Sequence, residues 1–456
     1  MTSSIAARLD RLPAGPWVWK LVALISFGAF FEIYDIYLSA PLSLALLAAG
    51  IFHPGAAGLF GLSDQASFIA ATFAGLWLGS LAFGAVADRY GRRPIFAVAL
   101  VWYALATCLM GLQSSALGID ACRFVASLGV GVELVAIDCY LAELAPKAAR
   151  GRAFALGASI QFLSVPILAV LAWRLIPAGW LGLAGWRWLA LFPALGAIGV
   201  WQVRRALPES PRWLADHDRI DEAEAIMRGI EAKVSEETGA VLPPPAAELP
   251  PAAIHVAASM WRPPWRRRTL VLIAFHLFQA LGYYGFASWL PTLLVARGVD
   301  LATSLAYSVA VALVPPLAPL AFLFLADRFE RKWLIVGGAA VSAVFGVALA
   351  SIGPRSDFIV FALIGAAVAA GASLMSLAFH AYQSELFPTA IRARAVGFVY
   401  SFSRLSAMLS AYLIAAVLTA HGAAGVFWLV SGAMAAVCLI IALLGPRTRG
   451  LALEEI

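Results

Sequence analysis

The chain reads as an all-α membrane protein, with twelve transmembrane helices in two six-helix bundles. Two observations predict this. Of its 456 residues, 62% are hydrophobic and only 13% are charged, about half the charged share of a soluble domain. A short text also occurs twice. Ala87-Asp88-Arg89-Tyr90-Gly91-Arg92-Arg93 returns as Ala326-Asp327-Arg328-Phe329-Glu330-Arg331-Lys332, and Glu143-Leu144-Ala145-Pro146 with Arg150 returns as Glu385-Leu386-Phe387-Pro388 with Arg392. Two unrelated motifs at nearly one offset mean a duplicated half, and duplicated membrane helices are the usual design of a secondary transporter.

An apolar run of about 20 residues crosses a bilayer. Such runs fall at 17–48, 65–87, 94–113, 116–140, 152–175, 184–206, 269–296, 301–326, 332–352, 357–382, 391–420 and 424–445. The first is too long for a signal-peptide core and is expected to remain as a span. Lys and Arg set the orientation. They gather near the N-terminus, at 89–93, at 147–152, in 207–268, at 328–332, at 392–394 and at 447–449, while the alternate loops hold Arg174, Arg187, Arg297 and Arg355. The basic set marks the cytoplasmic side. Both termini are therefore expected in the cytoplasm, and the two halves share one orientation. The expected units are 1–206, a first six-helix bundle; 207–268, a cytoplasmic linker with amphipathic helices; and 269–456, a second bundle with its tail. A monomer in a bacterial inner membrane is expected.

The linker holds a charged, helix-compatible stretch at Asp218–Lys233, a run of prolines at 243–245, and the basic segment Trp261-Arg262-Pro263-Pro264-Trp265-Arg266-Arg267-Arg268. That segment reads as a membrane-surface anchor, tryptophans at the headgroups and arginines towards anionic lipid. Membrane topology thus accounts for the net charge of +6, and no nucleic-acid partner is expected. Cys108, Cys122, Cys139 and Cys438 form no CxxC pair, which suggests neither a disulfide framework nor a metal site. The chain lacks a GxxxxGK[ST] phosphate loop, so ATP is not the energy source. No cofactor and no enzymatic chemistry are expected.

Ionisable residues inside the bilayer carry the chemistry, because each costs about 2.5–3.5 kcal/mol at mid-membrane. They are Glu32 and Asp35, Arg123, Glu133, Asp138 and Arg404. Asp35 stands about 17 residues up the first span, about 25 Å from its start. Arg123, near the outer end of the fourth span, has comparable depth. Arginine holds a neighbouring carboxylate in its charged form, and separation in a dry cavity favours the neutral acid. A pair that alternated between these arrangements would bind and release a proton; a fixed ion pair joining two helices is the other reading. Glu32, one turn away, could titrate instead. Arg404 lies near the midplane of the eleventh span, which has no acidic residue of its own. Its partner is a substrate carboxylate, or Glu133 or Asp138 across the pocket. Gln161, Gln279, Tyr34, Tyr283 and Tyr284 are the mid-span polar candidates for substrate contact. His380, Tyr382 and Gln383 lie closer to the cytoplasmic end of the tenth span, and Trp289 is expected in the outer aromatic belt.

The segment Gly79-Ser80-Leu81-Ala82-Phe83-Gly84-Ala85-Val86-Ala87-Asp88 with Arg92 and Arg93 resembles the signature loop of the major facilitator superfamily, and the resemblance extends over almost the whole chain. The second copy departs from it at Glu330, where the first has Gly91. Arg123 with Gly129 and Gly131, Glu143-Leu144-Ala145-Pro146, Pro208-Glu209-Ser210-Pro211-Arg212 and the tail Gly445-Pro446-Arg447-Thr448 resemble the sugar porters and their synaptic vesicle glycoprotein 2 neighbours. That resemblance implies a cytoplasmic charge network at Asp88, Arg92, Glu143, Arg150, Glu209, Arg212, Asp327, Arg331, Glu385 and Arg392. It also implies that Asp35 and Arg123 are the proton-coupling pair, and that Gln161 matches the glutamine that contacts ligand. Phe278-Gln279 departs from the paired glutamines of the sugar porters, and Leu377-Ala378-Phe379-His380 from their Pro-x-x-Trp element. The opening Arg11-Leu12-Pro13, Trp17-Val18-Trp19-Lys20 and Phe31-Glu32-Ile33-Tyr34-Asp35 looks more like bacterial niacin and aromatic-acid proton symporters. The expectation is therefore proton symport of a small organic anion, an aromatic or heteroaromatic monocarboxylate such as nicotinate. A sugar or polyol symporter, an organic-cation exporter and a non-transporting receptor are the alternatives.

Overall fold

The computed structural model describes residues 5–53, 55, 63–90, 92–146, 149–179, 181–193, 207–239, 242–244, 259–325, 329–352, 358–387 and 389–447. The helices are α1 (Ile5–Asp10), α2 (Pro16–Ala48), α3 (Asp64–Tyr90), α4 (Arg92–Leu112), α5 (Ala116–Leu144), α6 (Arg150–Phe162) and α7 (Ser164–Ala178). A helix α8 follows over 185–193. Then come α9 (Pro211–Asp216), α10 (Ile220–Thr238), α11 (Trp265–Ala287), α12 (Leu290–Ala296), α13 (Leu301–Ala312), α14 (Val314–Leu325), α15 (Arg331–Ser351), α16 (Phe358–Glu385) and α17 (Thr389–Leu444). The described residues contain no strand beyond an isolated bridge.

Local sequence sets the helix ends. Pro16 opens α2, where the missing N–H is no loss. Ser115 accepts from Gly118 N at 3.2 Å and Asp300 from Thr303 N at 3.0 Å, capping α5 and α13. Gly239 ends α10 with φ 62°, a left-handed value that glycine takes without strain. Three of the expected spans are each built from two helices: α6 and α7 meet at Leu163, α11 and α12 at Ser288–Trp289, and α13 and α14 at Leu313. The eleventh and twelfth spans share the label α17 but are two helices that part at Gly422, whose backbone is non-helical at φ 65°. The sixth span begins as α8, and its expected continuation to 206 lies outside the described residues. Together these elements make the twelve-helix transmembrane fold. Leu105, Leu109 and Leu112 on α4, and Leu439 and Leu443 on α17, form exposed apolar stripes, the surface that hydrocarbon covers.

Small residues allow the closest crossings. A Cβ on Gly79 would lie 2.3 Å from the Leu128 carbonyl oxygen, and one on Gly131 would lie 2.6 Å from that of Leu76. Helices α3 and α5 therefore touch backbone to backbone. The first-half helices meet the second-half helices where α3 packs on α17, α6 on α14, α7 on α13 and α2 on α12.

Both described chain ends and helices α9 and α10 lie at one end of the bundle, hereafter the termini face. At the opposite face the halves are closed on each other. Gln65 Nε2, near the start of α3, donates to Thr292 Oγ1 of α12 at 2.6 Å and to Ser43 Oγ of α2 at 3.2 Å. Deeper in, Tyr37 and Tyr283 hydroxyls are 2.7 Å apart, and the Phe73 ring meets Tyr284 edge-on at 4.6 Å.

The linker helix is α10, Ile220–Thr238, running five residues past the expected stretch. Its apolar face, Ala223, Met227, Ile230 and Val234, buries Ile5, Leu9 and Leu12 of the N-terminal segment together with Trp213 and Leu214. Arg8 donates to both carboxylate oxygens of Glu231 and to Glu224, and Arg11 also reaches Glu231. Glu231 pays for its burial, yet its bonds to Arg8 and Arg11 outweigh that cost and hold it below the ordinary carboxylate range. The same bond to Glu231 raises Arg8.

Trp289 corrects an expectation. It is 2% exposed and packed within the central cluster, so it fills the break between α11 and α12 and is not part of a headgroup belt.

Candidate functional site

Asp35 sits near the middle of α2 and Arg123 two turns into α5. Both are buried, at 1% and 0% exposure. Arg123 Nη1 donates to Asp35 Oδ1 at 2.8 Å, and its Nη2 donates to the Asp35 carbonyl and, at 3.0 Å, to Ser39 Oγ. Nε reaches Thr72 Oγ1 at 2.9 Å, and the Phe68 ring covers the guanidinium at 5.6 Å. Asp35 Oδ2 accepts no hydrogen bond. A buried ion pair needs such added bonds to offset desolvation, and here most of them serve the arginine. Glu32, one turn nearer the termini face, is wholly buried on the same helix.

Arg404 of α17 is 8% exposed. Its Nη1 donates to Tyr284 Oη at 2.7 Å and its Nη2 to Tyr400 Oη at 3.2 Å. The guanidinium carbon lies 5.1 Å from the Tyr400 ring centre and 6.0 Å from that of Tyr284, within cation–π range. Beside it, buried His276 pairs with Gln383 Oε1 at 3.1 Å and packs edge-on to Phe379 and Tyr400. His380 is exposed, stacked on Phe379.

Of the mid-span candidates, Tyr283 bonds Tyr37 across the halves. Gln279 is 3% exposed with Oε1 accepting no hydrogen bond. Gln161 is half-buried near the end of α6. Tyr34 is turned towards α8, its hydroxyl on the Leu189 carbonyl at 3.3 Å and its ring 5.2 Å from Phe192. Tyr37, one turn on, is the α2 tyrosine that meets the second half. The side chains of Glu133 and Asp138 lie outside the described residues.

Of the residues expected in a charge network, some are described. Arg331 and Glu385 form an ion pair. Arg212 pairs with Asp10 of α1 at 2.8 Å, a partner that the sequence reading did not supply. Glu209 accepts from Ser210 N at 3.0 Å, and Glu143 is half-buried. Asp327 lies outside the described residues, as do the side chains of Asp88, Arg92, Arg150 and Arg392.

A cavity bounded by Tyr37, Pro41, Leu168, Tyr283, Leu290 and Ala372 opens between α2, α7, α11, α12, α13, α14 and α16. Its walls are almost entirely apolar, with Tyr37, Tyr283, Ser308 and Ser373 as the polar exceptions.

Residues 21–456 match the sequence profile of the family described as "Sugar (and other) transporter". The chain belongs to this family. Within the family its function is transport of a sugar or other metabolite, not catalysis. YyaJ of Bacillus subtilis (strain 168), whose name gives it only a provisional role in metabolite transport, is 30% identical over 451 residues, covering 98% of this chain and 96% of that protein. The niacin transporter NiaP of Acinetobacter baylyi (strain ATCC 33305 / BD413 / ADP1) is 26% identical over 458 residues, 99% of each chain. Among solved structures, the partially occluded inward-open xylose transporter XylE from E. coli superposes with a TM-score of 0.76 at 19% identity, over 96% of this chain and 99% of that one. The fold is that of the major facilitator superfamily.

His276, Tyr37 and Tyr400 were missed in the sequence. Each has a legible signal in retrospect. His276 is an ionisable group inside a span, Tyr400 is one turn before Arg404, and Tyr37 is one turn after Tyr34 on the helix that carries Asp35.

Proposed function

We propose that the protein is a proton-coupled symporter importing a small organic anion, an aromatic or heteroaromatic monocarboxylate such as nicotinate, by alternating access. In this reading the termini face is cytoplasmic and the membrane is a bacterial inner membrane. The units 1–206 and 269–456 rock against each other with 207–268 as tether, in a monomer.

The observation that carries the anion reading is the frame around Arg404. A permanent cation held between two tyrosine hydroxyls offers a carboxylate charge-assisted hydrogen bonds. Tyr284, Tyr400 and Phe73 present ring faces and edges to a flat substrate. The name of the niacin transporter relative supports the same class.

Coupling is read from Asp35. A proton arriving from outside on the unoccupied Oδ2 neutralises the carboxylate and loosens its bond to Arg123. The anion on Arg404 and the proton on Asp35 cross together when the outer face closes and leave at the cytoplasmic side. The inward proton-motive force supplies the energy.

Uptake of labelled nicotinate and benzoate, with xylose as comparison, into proteoliposomes under an imposed inside-alkaline gradient tests the reading. Concentrative uptake of the acids supports it; uptake of xylose alone would replace it with a sugar symporter. That second reading has one observation in its favour, the unoccupied Oε1 of buried Gln279, which with Gln161 could hold a hydroxyl-rich ligand.

A further inference from the structure

Asp120 stands one turn into α5, three residues closer to the opposite face than Arg123 and on the same side of the helix. It is 3% exposed, and its Oδ1 accepts no hydrogen bond. The Ser67 hydroxyl and the Asp64 carboxylate of α3 lie beside it, as does the Tyr412 phenol of α17. Asp64 is itself occupied by His53 N at 2.9 Å. On its own helix the nearest cation, Arg123, is committed to Asp35, Ser39 and Thr72. On α2 and on the adjoining half of α4, both packed against α5, the other ionisable side chains are Glu32, Tyr34, Asp35 and Tyr37, and Tyr103 and Cys108.

The position matters because α3 and α17 belong to different halves and pack together. Gln65, next to Asp64, makes the bond that crosses to Thr292. Asp120 therefore lies along the line where the two halves part when this face opens. Enclosed beside a second carboxylate and with one oxygen unfilled, its charged form is costly. Water entering between α3 and α17 removes that cost.

We propose that Asp120 is a second proton-binding residue, neutral while the outer face is closed and ionised while it is open, so that closing this face takes up a proton independently of Asp35. The proton comes from external water, passes to the carboxylate, and returns to water on reopening. No other bond forms or breaks. The proposal rests on the orientation given above, in which the opposite face is external, and not on the anion assignment at Arg404.

The test uses the full chain in proteoliposomes without substrate. Cys108, Cys122, Cys139 and Cys438 are replaced by Ser. Leu305→Cys then reports opening, because Leu305 of α13 is 1% exposed and packed among residues of the first half. Its labelling by an external membrane-impermeant maleimide is divided by that of exposed Ala49→Cys, which cancels the titration of the thiol itself.

Between about pH 5 and pH 9, the normalised rate should rise several-fold as the carboxylate ionises. Asp120→Asn should hold it slow at every pH, and Asp120→Glu should restore the rise. A flat profile in the Asp120 parent would overturn the proposal. So would an Asn variant with the parent's profile, or one that labels fast throughout, which would mark Asp120 as a packing residue. Labelling only from the lumen would overturn the orientation instead. Because no substrate is present, failure of the anion assignment leaves these outcomes unchanged.

Discussion

Arg123 bonds Asp35 twice, once at the carboxylate Oδ1 and once at the residue's own main-chain carbonyl. With Ser39 and Thr72 added, the guanidinium keeps three of its four partners when the carboxylate is neutralised. The arginine is thus a fixed anchor and the carboxylate is the part that can change state. A symmetric ion pair would lose both partners' satisfaction at once, at a cost of about 3–5 kcal/mol.

Removing Arg404 should abolish recognition of the acid without unfolding the protein. Arg404→Ala is expected to lower nicotinate or benzoate affinity by about 10- to 10²-fold, since a charge-assisted bond of this kind contributes about 1.5–3 kcal/mol. Arg404→Lys should recover only part of it, because a lysine cannot span both tyrosine hydroxyls. Binding measured by calorimetry in detergent decides the point; unchanged affinity in the alanine variant would remove Arg404 from the site.

Gln65 should bias the resting state. Loss of one hydrogen bond across the halves is worth about 1 kcal/mol, or about a fivefold change in population. Gln65→Leu is therefore expected to increase opening of the opposite face by about that factor, read as double electron–electron resonance distances between labels on α3 and α12. An unchanged distance distribution would mean that apolar packing alone keeps this face closed.

The N-terminal helix should detach in acid. Glu231 is held below its usual value by Arg8 and Arg11. Its contribution is therefore complete above the unperturbed value of 4.5 and is lost as the pH falls through the lower folded value. Docking of α1 on α10 should be constant around neutrality and weaken in the acid range below that value. Hydrogen exchange at residues 5–12 measures it. Glu231→Gln should speed exchange there at neutral pH, by the equivalent of about 1–2 kcal/mol once the three charge-assisted bonds from Arg8 and Arg11 are discounted for solvent screening, and should flatten the acid dependence.

Much of the fold was legible because membranes restrict the choices. Apolar length gave the spans, and repeated motifs gave the duplication. Breaks at Leu163 and Leu313 were not legible, since proline-bearing apolar runs look continuous to any length criterion. The role of α1 escaped because its apolar face makes sense only with α10 beside it, more than 200 residues away in the chain. In the site, depth along two helices put Asp35 and Arg123 at one level, and the sugar-porter resemblance paired them. The turn of Tyr34 towards α8 was not, because depth carries no information about azimuth.

Close helix crossings should be intolerant in a position-specific way. Gly79→Ala places a Cβ 2.3 Å from Leu128 O, whereas Gly151→Ala meets nothing within 4 Å. The first is expected to cost at least about 2 kcal/mol and to lower yield and melting temperature in detergent. The second should be neutral or slightly stabilising. Equal melting temperatures would show that α3 and α5 can part without loss.

Proton coupling at Asp35 is tested most directly by comparing two assays on Asp35→Asn in proteoliposomes. Substrate exchange between equal internal and external pools should persist, since the neutral side chain mimics the protonated state and Arg123 stays anchored. Accumulation against a gradient driven by protons should vanish. An asparagine variant that still concentrated substrate to the level of the unmodified protein would contradict the account.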